Sequence, residues 1–337
     1  MRSFEYARPE TAEQAVQLLA APGHEARGSL PVAGGSDLLS LLKDGVVTPG
    51  RLVDLNGLGD LAGVSEGENG ALWLGALTRI DALAKDSRIA ALHPALATAF
   101  GHVAAPQIRN VGTLGGNLCQ RPRCWYFRLG YGLLARGADG ASLVEAGDDR
   151  YHAILGNDGP AYFVSPSTVA PLLVALGAEV EAVGPEGTRR FQLSDLYRTP
   201  SADGESELTL GRGEIVSRVR VPQTPGGAPR QASYEVRQRT SLDWSLATAA
   251  VVLRLEGGRV ARSRVVLGQV APVPWSAPAA EAALLGREID AARAEKAAEE
   301  AVRGARALGR NGYKIQLAKT AVKRAVLAAA GASRGGE

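Results

Sequence analysis

The chain has 337 residues, 45% apolar and 22% charged, enough for two or three domains that each bury a core. Its 38 basic and 35 acidic residues leave a net charge of +3 without any block of lysines or arginines, which argues against nucleic acid as a main partner. The longest apolar runs fall short of the ~20 residues that cross a bilayer, so no membrane insertion is expected.

Met1-Arg-Ser-Phe-Glu-Tyr lacks the apolar stretch of a secretion signal. The expectation is a cytoplasmic chain, periplasmic only if a partner subunit carries it across a membrane.

Residues 1–60 read as a small α/β unit. Thr11-Ala-Glu-Gln predicts a capping box, followed by Ala15, Val16, Leu18 and Leu19 at helical spacing. Leu30-Pro-Val-Ala predicts a short strand that runs into Gly34-Gly35. Asp37-Leu-Leu-Ser-Leu-Leu-Lys resumes helical periodicity, and Arg51-Leu-Val-Asp-Leu predicts a second buried strand.

Residues 61–225 form a longer mixed unit. Strands are predicted at 71–76, 161–164, 178–183 and 215–221, and helices at 80–85 and 94–100. A second glycine doublet stands in Val111-Gly-Thr-Leu-Gly-Gly-Asn-Leu, and a loop-rich stretch follows from Cys119 to about 150. Pro222-Gln-Thr-Pro-Gly-Gly-Ala-Pro is a linker and the clearest boundary. The third unit, 228–332, opens with a β-hairpin predicted around Gly257-Gly258. One alanine-rich helix is expected at about 278–309 and a second at 313–330 with basic residues at its end. Residues 333–337 are expected to be disordered.

The two glycine doublets carry the functional signal. Each is expected to turn successive N–H groups into a concavity that no Cβ obstructs. Small polar side chains (Ser36, Thr113, Asn117) stand beside them. Two such segments suit a long ligand with a pyrophosphate, making a dinucleotide the leading idea. A Rossmann nicotinamide site is excluded because no G-x-G-x-x-G follows a strand in a βαβ unit. Only two cysteines occur, Cys119 and Cys124, which rules out a disulfide framework and a four-cysteine metal site within the chain. The four histidines show no metal-ligand spacing.

Ala33-Gly-Gly-Ser-Asp-Leu, together with the stretch from Gln107 to Arg128 that contains Ile-Arg-Asn-Val-Gly-Thr-Leu-Gly-Gly-Asn, closely resembles the FAD-binding medium subunit of the molybdenum hydroxylases. This family includes xanthine dehydrogenases, carbon monoxide dehydrogenases and aldehyde oxidoreductases. The resemblance covers nearly the whole chain. It implies an α+β architecture: a two-subdomain FAD-binding fold of the vanillyl-alcohol-oxidase/PCMH type, then a C-terminal domain of a small antiparallel sheet with helices. It places FAD on Val32, Ala33, Gly34, Gly35, Ser36, Asp37 and Leu38, on Thr113, Gly115, Gly116 and Asn117, and puts an apolar side chain near the flavin at Ile215 or Val216. No catalytic residue and no metal ligand is assigned to this chain. The implied partners are a large subunit with the molybdenum cofactor and a small subunit with [2Fe–2S] centres, in a complex that oxidises an aldehyde or an aromatic or heterocyclic substrate.

Cys119-Gln-Arg-Pro-Arg-Cys-Trp-Tyr-Phe-Arg resembles the aldehyde oxidoreductase and hydroxybenzoyl-CoA reductase branch, whose flavin subunit carries an extra [4Fe–4S] cluster. In that branch Cys124 or a near neighbour is one of four ligands, and the others fall within the next forty residues. None follows here. A [4Fe–4S] cluster needs four thiolates, so the expectation is a chain that keeps the loop without the cluster. Two further departures concern the flavin: Thr168 stands where many relatives have an acid, and Glu235 where a lysine is common, with Arg237 or Arg239 as its substitute. Two rival readings are a stand-alone flavin oxidoreductase, with Tyr151 and His152 as the only candidates for a catalytic group, and a scaffold subunit that has lost its cofactor.

Overall fold

The computed structural model describes residues 1–223, 229–239 and 243–331. The middle of the predicted linker and the predicted disordered tail lie outside these residues. Three sheets follow one another along the chain. The first contains β1 (Glu5–Ala7), β2 (Ser29–Val32) and β3 (Arg51–Asp54), parallel throughout in the order β1-β3-β2. Its two crossovers are the helices Ala12–Ala20 and Leu38–Lys43. Thr11 caps the first by accepting the Gln14 N–H, and the Gln14 side chain accepts the N–H of Glu10, one residue earlier than a standard capping box. The helix buries Ala15, Val16 and Leu19.

The second sheet is antiparallel, formed by β4 (Val64–Glu66), β5 (Leu72–Gly75), β6 (Glu179–Gly184), β7 (Gly187–Gln192) and β8 (Ile215–Val221) in the order β4-β5-β8-β6-β7. β8 is central because Val219 and Val221 are fully buried, each contributing about 1.5–3 kcal/mol by leaving water. Ile215, at its start, packs against Ala15, Val16 and Val53 and so joins the first two sheets. Short helices at 80–85, 87–92, 94–101, 114–118 and 170–175 lie between β5 and β6 and cover this core. Residues 161–164, predicted as a strand, form no ladder. They are instead tied by single bonds around them, from Ala153 N–H to the Tyr162 carbonyl and from Ser165 N–H to the Ala271 carbonyl.

The third sheet holds β9 (Arg230–Val236), β10 (Ala247–Glu256), β11 (Arg259–Gly268) and β12 (Trp275–Ser276), antiparallel in the order β12-β11-β10-β9. The predicted hairpin is β10–β11, and Gly257 and Gly258 take φ +56° and +79°, as its two-residue turn requires. The single helix expected at 278–309 is instead two, Pro278–Leu284 and Ala291–Ala301. Gly286 breaks it at φ +71°, and Asp290 restarts it by accepting the Arg293 N–H at 2.7 Å. The last helix spans Tyr313–Ala330, with no basic residue in its final turn, since Lys323 and Arg324 lie further back.

His93 joins the helices Ser87–Leu92 and Pro94–Gly101 and is 1% exposed, with neither ring nitrogen hydrogen-bonded among the described residues. Burial pushes its pKa from 6.5 down to about 4. The unfolded chain therefore takes up the proton first, and stability is lost as pH falls from 6.5 towards 4. His152 behaves alike, also pushed to about 4 by burial. His93→Leu is expected to flatten this acid dependence without abolishing it, read from urea midpoints across that range. An unchanged slope would exclude His93 as a contributor.

Candidate functional site

The segment 32–38 leaves β2 and enters the helix Leu38–Lys43. Val32, Ala33, Gly34, Gly35, Ser36, Asp37 and Leu38 all line a cavity of about 340 Å³. Gly35 holds φ +69°, which curls the backbone there. The N–H groups of Gly34, Gly35, Ser36 and Asp37 donate to no acceptor among the described residues. Four amide donors along one turn form a cradle for an anion.

Thr113, Gly115, Gly116 and Val216 line the same cavity, as does Ile215. Asn117 lines a second cavity of about 280 Å³ that shares Ser36, Asp37, Gly112, Thr113, Gly116 and Gln120 with the first. All twelve expected site residues therefore meet in one continuous cleft.

The two glycine segments do different work, which corrects the expectation that both present free amides. The second is a helical turn, Leu114–Leu118, and its N–H groups are engaged within the protein. Gly112 donates to Ile108, Leu114 to Thr78 and Gly115 to Ala76 at 2.7–3.0 Å, and Gly116 donates to Thr113 Oγ1 at 3.2 Å. Its glycines serve close packing. A Cβ on Gly115 would lie 3.1 Å from that of Ala76.

Gly34 is tighter still, since a Cβ there would sit 2.0 Å from the Val111 carbonyl oxygen. Asn56 and Arg79 fasten this contact. Asn56 Nδ2 donates to the Ala33 carbonyl and Arg79 Nη2 to Asn56 Oδ1, both at 2.9 Å, while Arg79 Nη1 donates to the Val111 carbonyl.

Sequence reasoning missed the arginines. The Arg121 N–H and Arg128 Nη2 each donate to the Asp37 carboxylate at 2.8 Å, and Arg123 Nη1 lies 3.0 Å from it. Burial pushes Arg123 down to about 10, against the opposing pull of Asp37. The signal lay in Arg121-Pro-Arg-Cys, read only for its cysteine. The charge of Asp37 is thus absorbed on the wall of the anion cradle.

Trp244 also went unforeseen: it lines the second cavity, with the Arg123 guanidinium 4.4 Å over its ring. Thr168 and Arg237 line that cavity too, whereas Glu235 does not. The Glu235 carboxylate accepts from Arg237 Nη2 at 2.6 Å and from the Ser245 hydroxyl, so the arginine stands at the wall in its place.

The cysteines open to different places. Cys119 lines the first cavity, and burial beside Glu207 pushes its thiol up to about 12. Cys124 lines a third cavity of about 430 Å³, and burial raises its pKa as well. Neither has thiolate character at neutral pH. His152 is buried, with Nε2 3.2 Å from Cys124 Sγ, and with Tyr151 it lines that third cavity rather than the glycine cleft. Asp37→Ala would leave the guanidinium groups of Arg123 and Arg128 without their shared carboxylate and the Arg121 backbone N–H without its acceptor. A stability loss of about 2 kcal/mol is expected by urea unfolding, as for lost charge-assisted bonds.

Among the described residues no helix is long and apolar enough to cross a membrane. Residues 2–224 match the family model described as the FAD binding domain in molybdopterin dehydrogenase. Residues 232–329 match the CO dehydrogenase flavoprotein C-terminal domain. The aldehyde oxidoreductase FAD-binding subunit PaoB of Escherichia coli K12 is 35% identical over 287 residues, covering 84% of this chain and 86% of that one. The carbon monoxide dehydrogenase medium chain of Afipia carboxidovorans is 32% identical over 328 residues, 96% of each chain. Among solved structures, the cyanide-inactivated Cu,Mo-CO dehydrogenase superposes with a TM-score of 0.75 at 30% identity, over 98% of both chains. Fold, cleft and these similarities together identify the chain as a member of the FAD-binding medium subunits of the molybdenum hydroxylase family.

Proposed function

We propose that this chain holds FAD in the cleft between its two glycine segments and passes electrons through it in a molybdenum hydroxylase complex. The observation that carries this reading is the row of four unengaged N–H groups from Gly34 to Asp37, which suits a pyrophosphate. Val32, Ala33 and Leu38 continue that wall, and Ser36 adds a hydroxyl. Thr113, Gly115, Gly116 and Asn117 form the facing wall, with Val216 as an apolar contact. Bound FAD supplies two-electron storage in its ring system. The chain's own residues bind the cofactor, orient it and keep a guanidinium, Arg237, beside the second cavity.

In this proposal a large partner subunit carries the molybdenum cofactor and the substrate site, and a small one carries [2Fe–2S] centres that deliver electrons here. An external acceptor takes them on. The reading takes an aldehyde, or an aromatic or heterocyclic compound, as the substrate of the complex, and the similarity to the aldehyde oxidoreductase subunit PaoB supports the aldehyde. A cytoplasmic place belongs to the same reading, with export only as cargo of a signal-bearing partner. The proposed units are 1–60 and 61–225 for FAD binding and 228–332 for the C-terminal domain. No [4Fe–4S] cluster is included, because four thiolates are needed and the chain has two cysteines.

The test is the absorption spectrum of the purified chain together with an iron assay. Flavin bands without iron are expected. Absence of flavin after incubation with FAD would sink the reading, and about four irons per chain would overturn the cluster argument. Gly34→Ala, which forces the cradle off the Val111 carbonyl, is expected to lower flavin content at least about tenfold, a loss of about 1.4 kcal/mol in binding. Wild-type flavin content in that variant would show that the contact does not shape the site.

A further inference from the structure

Asn117 lines the second cavity with half of its amide already engaged. Its Oδ1 accepts from the Ser167 hydroxyl at 2.7 Å. That hydroxyl in turn accepts the Ala170 N–H at 3.1 Å, and Ser167 is 1% exposed. A serine hydroxyl has a single proton to donate. Among the described residues no other acceptor takes it, so it goes to Asn117. Reversing the amide would set Nδ2 against Ser167 Oγ and leave a buried hydroxyl proton unpaired, which is unfavourable. The amide therefore keeps Oδ1 on Ser167 and leaves Nδ2, which donates to no described residue, for the cleft.

Ser167 is itself held from the third sheet. Gln269, just after β11, donates Nε2 to the Ser167 carbonyl at 3.0 Å and accepts at Oε1 from the Thr248 hydroxyl of β10. Gln269 takes φ +58°, a conformation that side-chain-bearing residues seldom adopt, and Lys314 Nζ donates to its carbonyl at 2.7 Å. Thr248, Gln269 and Lys314 are all buried. These bonds fix the backbone of Ser167, whose hydroxyl is the one group among them that meets Asn117.

We propose that Ser167, held by Gln269 and Thr248, is a positioning residue that fixes Asn117 as a hydrogen-bond donor towards an acceptor atom of the bound flavin cofactor. The proposal rests on FAD occupying the cleft. It specifies what the cofactor must present at this point: a carbonyl, ring nitrogen or phosphate oxygen rather than a donor.

The experiment is an FAD titration of the flavin-stripped full chain, followed by flavin fluorescence, in wild type, Ser167→Ala, Asn117→Ala, the double variant and Asn117→Asp. Each single alanine variant is expected to weaken FAD about tenfold, the scale of one hydrogen bond. The double variant should bind no worse than Asn117→Ala alone, because Ser167 acts only through Asn117. Asn117→Asp keeps an oxygen for Ser167 but turns a second oxygen to the cleft, and should bind worse than the alanine variant. Gln269→Leu, used if Ser167→Ala does not unfold cooperatively, should likewise be silent in the Asn117→Ala background.

Losses that multiply in the double variant, or wild-type affinity in Asn117→Asp, would overturn the positioning role while leaving FAD binding intact. A wild-type chain that takes up no FAD would overturn both.

Discussion

The carbonyl of Val111 lies where any side chain on residue 34 would begin. That contact presses a strand-to-helix turn of the first sheet against a segment some eighty residues later, and the cleft is the space the two leave between them. Arg79 and Asn56 fasten both sides from the junction of the first two sheets. Arg79 takes the Val111 carbonyl, and the amides of the first turn meet no acceptor among the described residues. The second segment spends its amides on the protein and gains rigidity instead. One wall presents free backbone amides, and the other is held rigid and presents side chains such as Asn117.

Electrostatics follow from this arrangement. An anion cradle with a carboxylate beside it would repel its own ligand, and Asp37 stands in that position. The Arg123 and Arg128 guanidinium groups and the Arg121 backbone N–H close on its oxygens from the loop after the second glycine segment. Asp37 thus becomes a strut between two parts of the cleft. The same loop keeps two cysteines, but they open to separate cavities, each held in its protonated form by burial.

The C-terminal sheet contributes to the cleft as well as to its own core. Arg237 and Trp244 stand at the second cavity, and Gln269 reaches the backbone of Ser167. Both regions that match the family models therefore supply residues to the cleft.

Much of this was legible in the chain itself. Period-two and helical patterns located β2, β3, β5, β8 and the β10–β11 hairpin, because each buries one face against a neighbour and local alternation records it. The glycine doublets marked the cleft, since only glycine tolerates backbone contact at Gly34 and the left-handed turn at Gly35. Local pattern misread 161–164, where burial comes from loops rather than a ladder, and overlooked the break at Gly286. What the sequence by itself determined was the set of residues able to form the cradle and the family they belong to. Only the tertiary structure decided which glycine segment keeps its amides free, that Asp37 is paired with the guanidinium groups of Arg123 and Arg128 and with the backbone N–H of Arg121, and that Arg237 rather than Glu235 faces the cleft. These depend on which groups from distant segments meet, and a hydrogen-bond donor cannot be known to be free until every neighbour has its place.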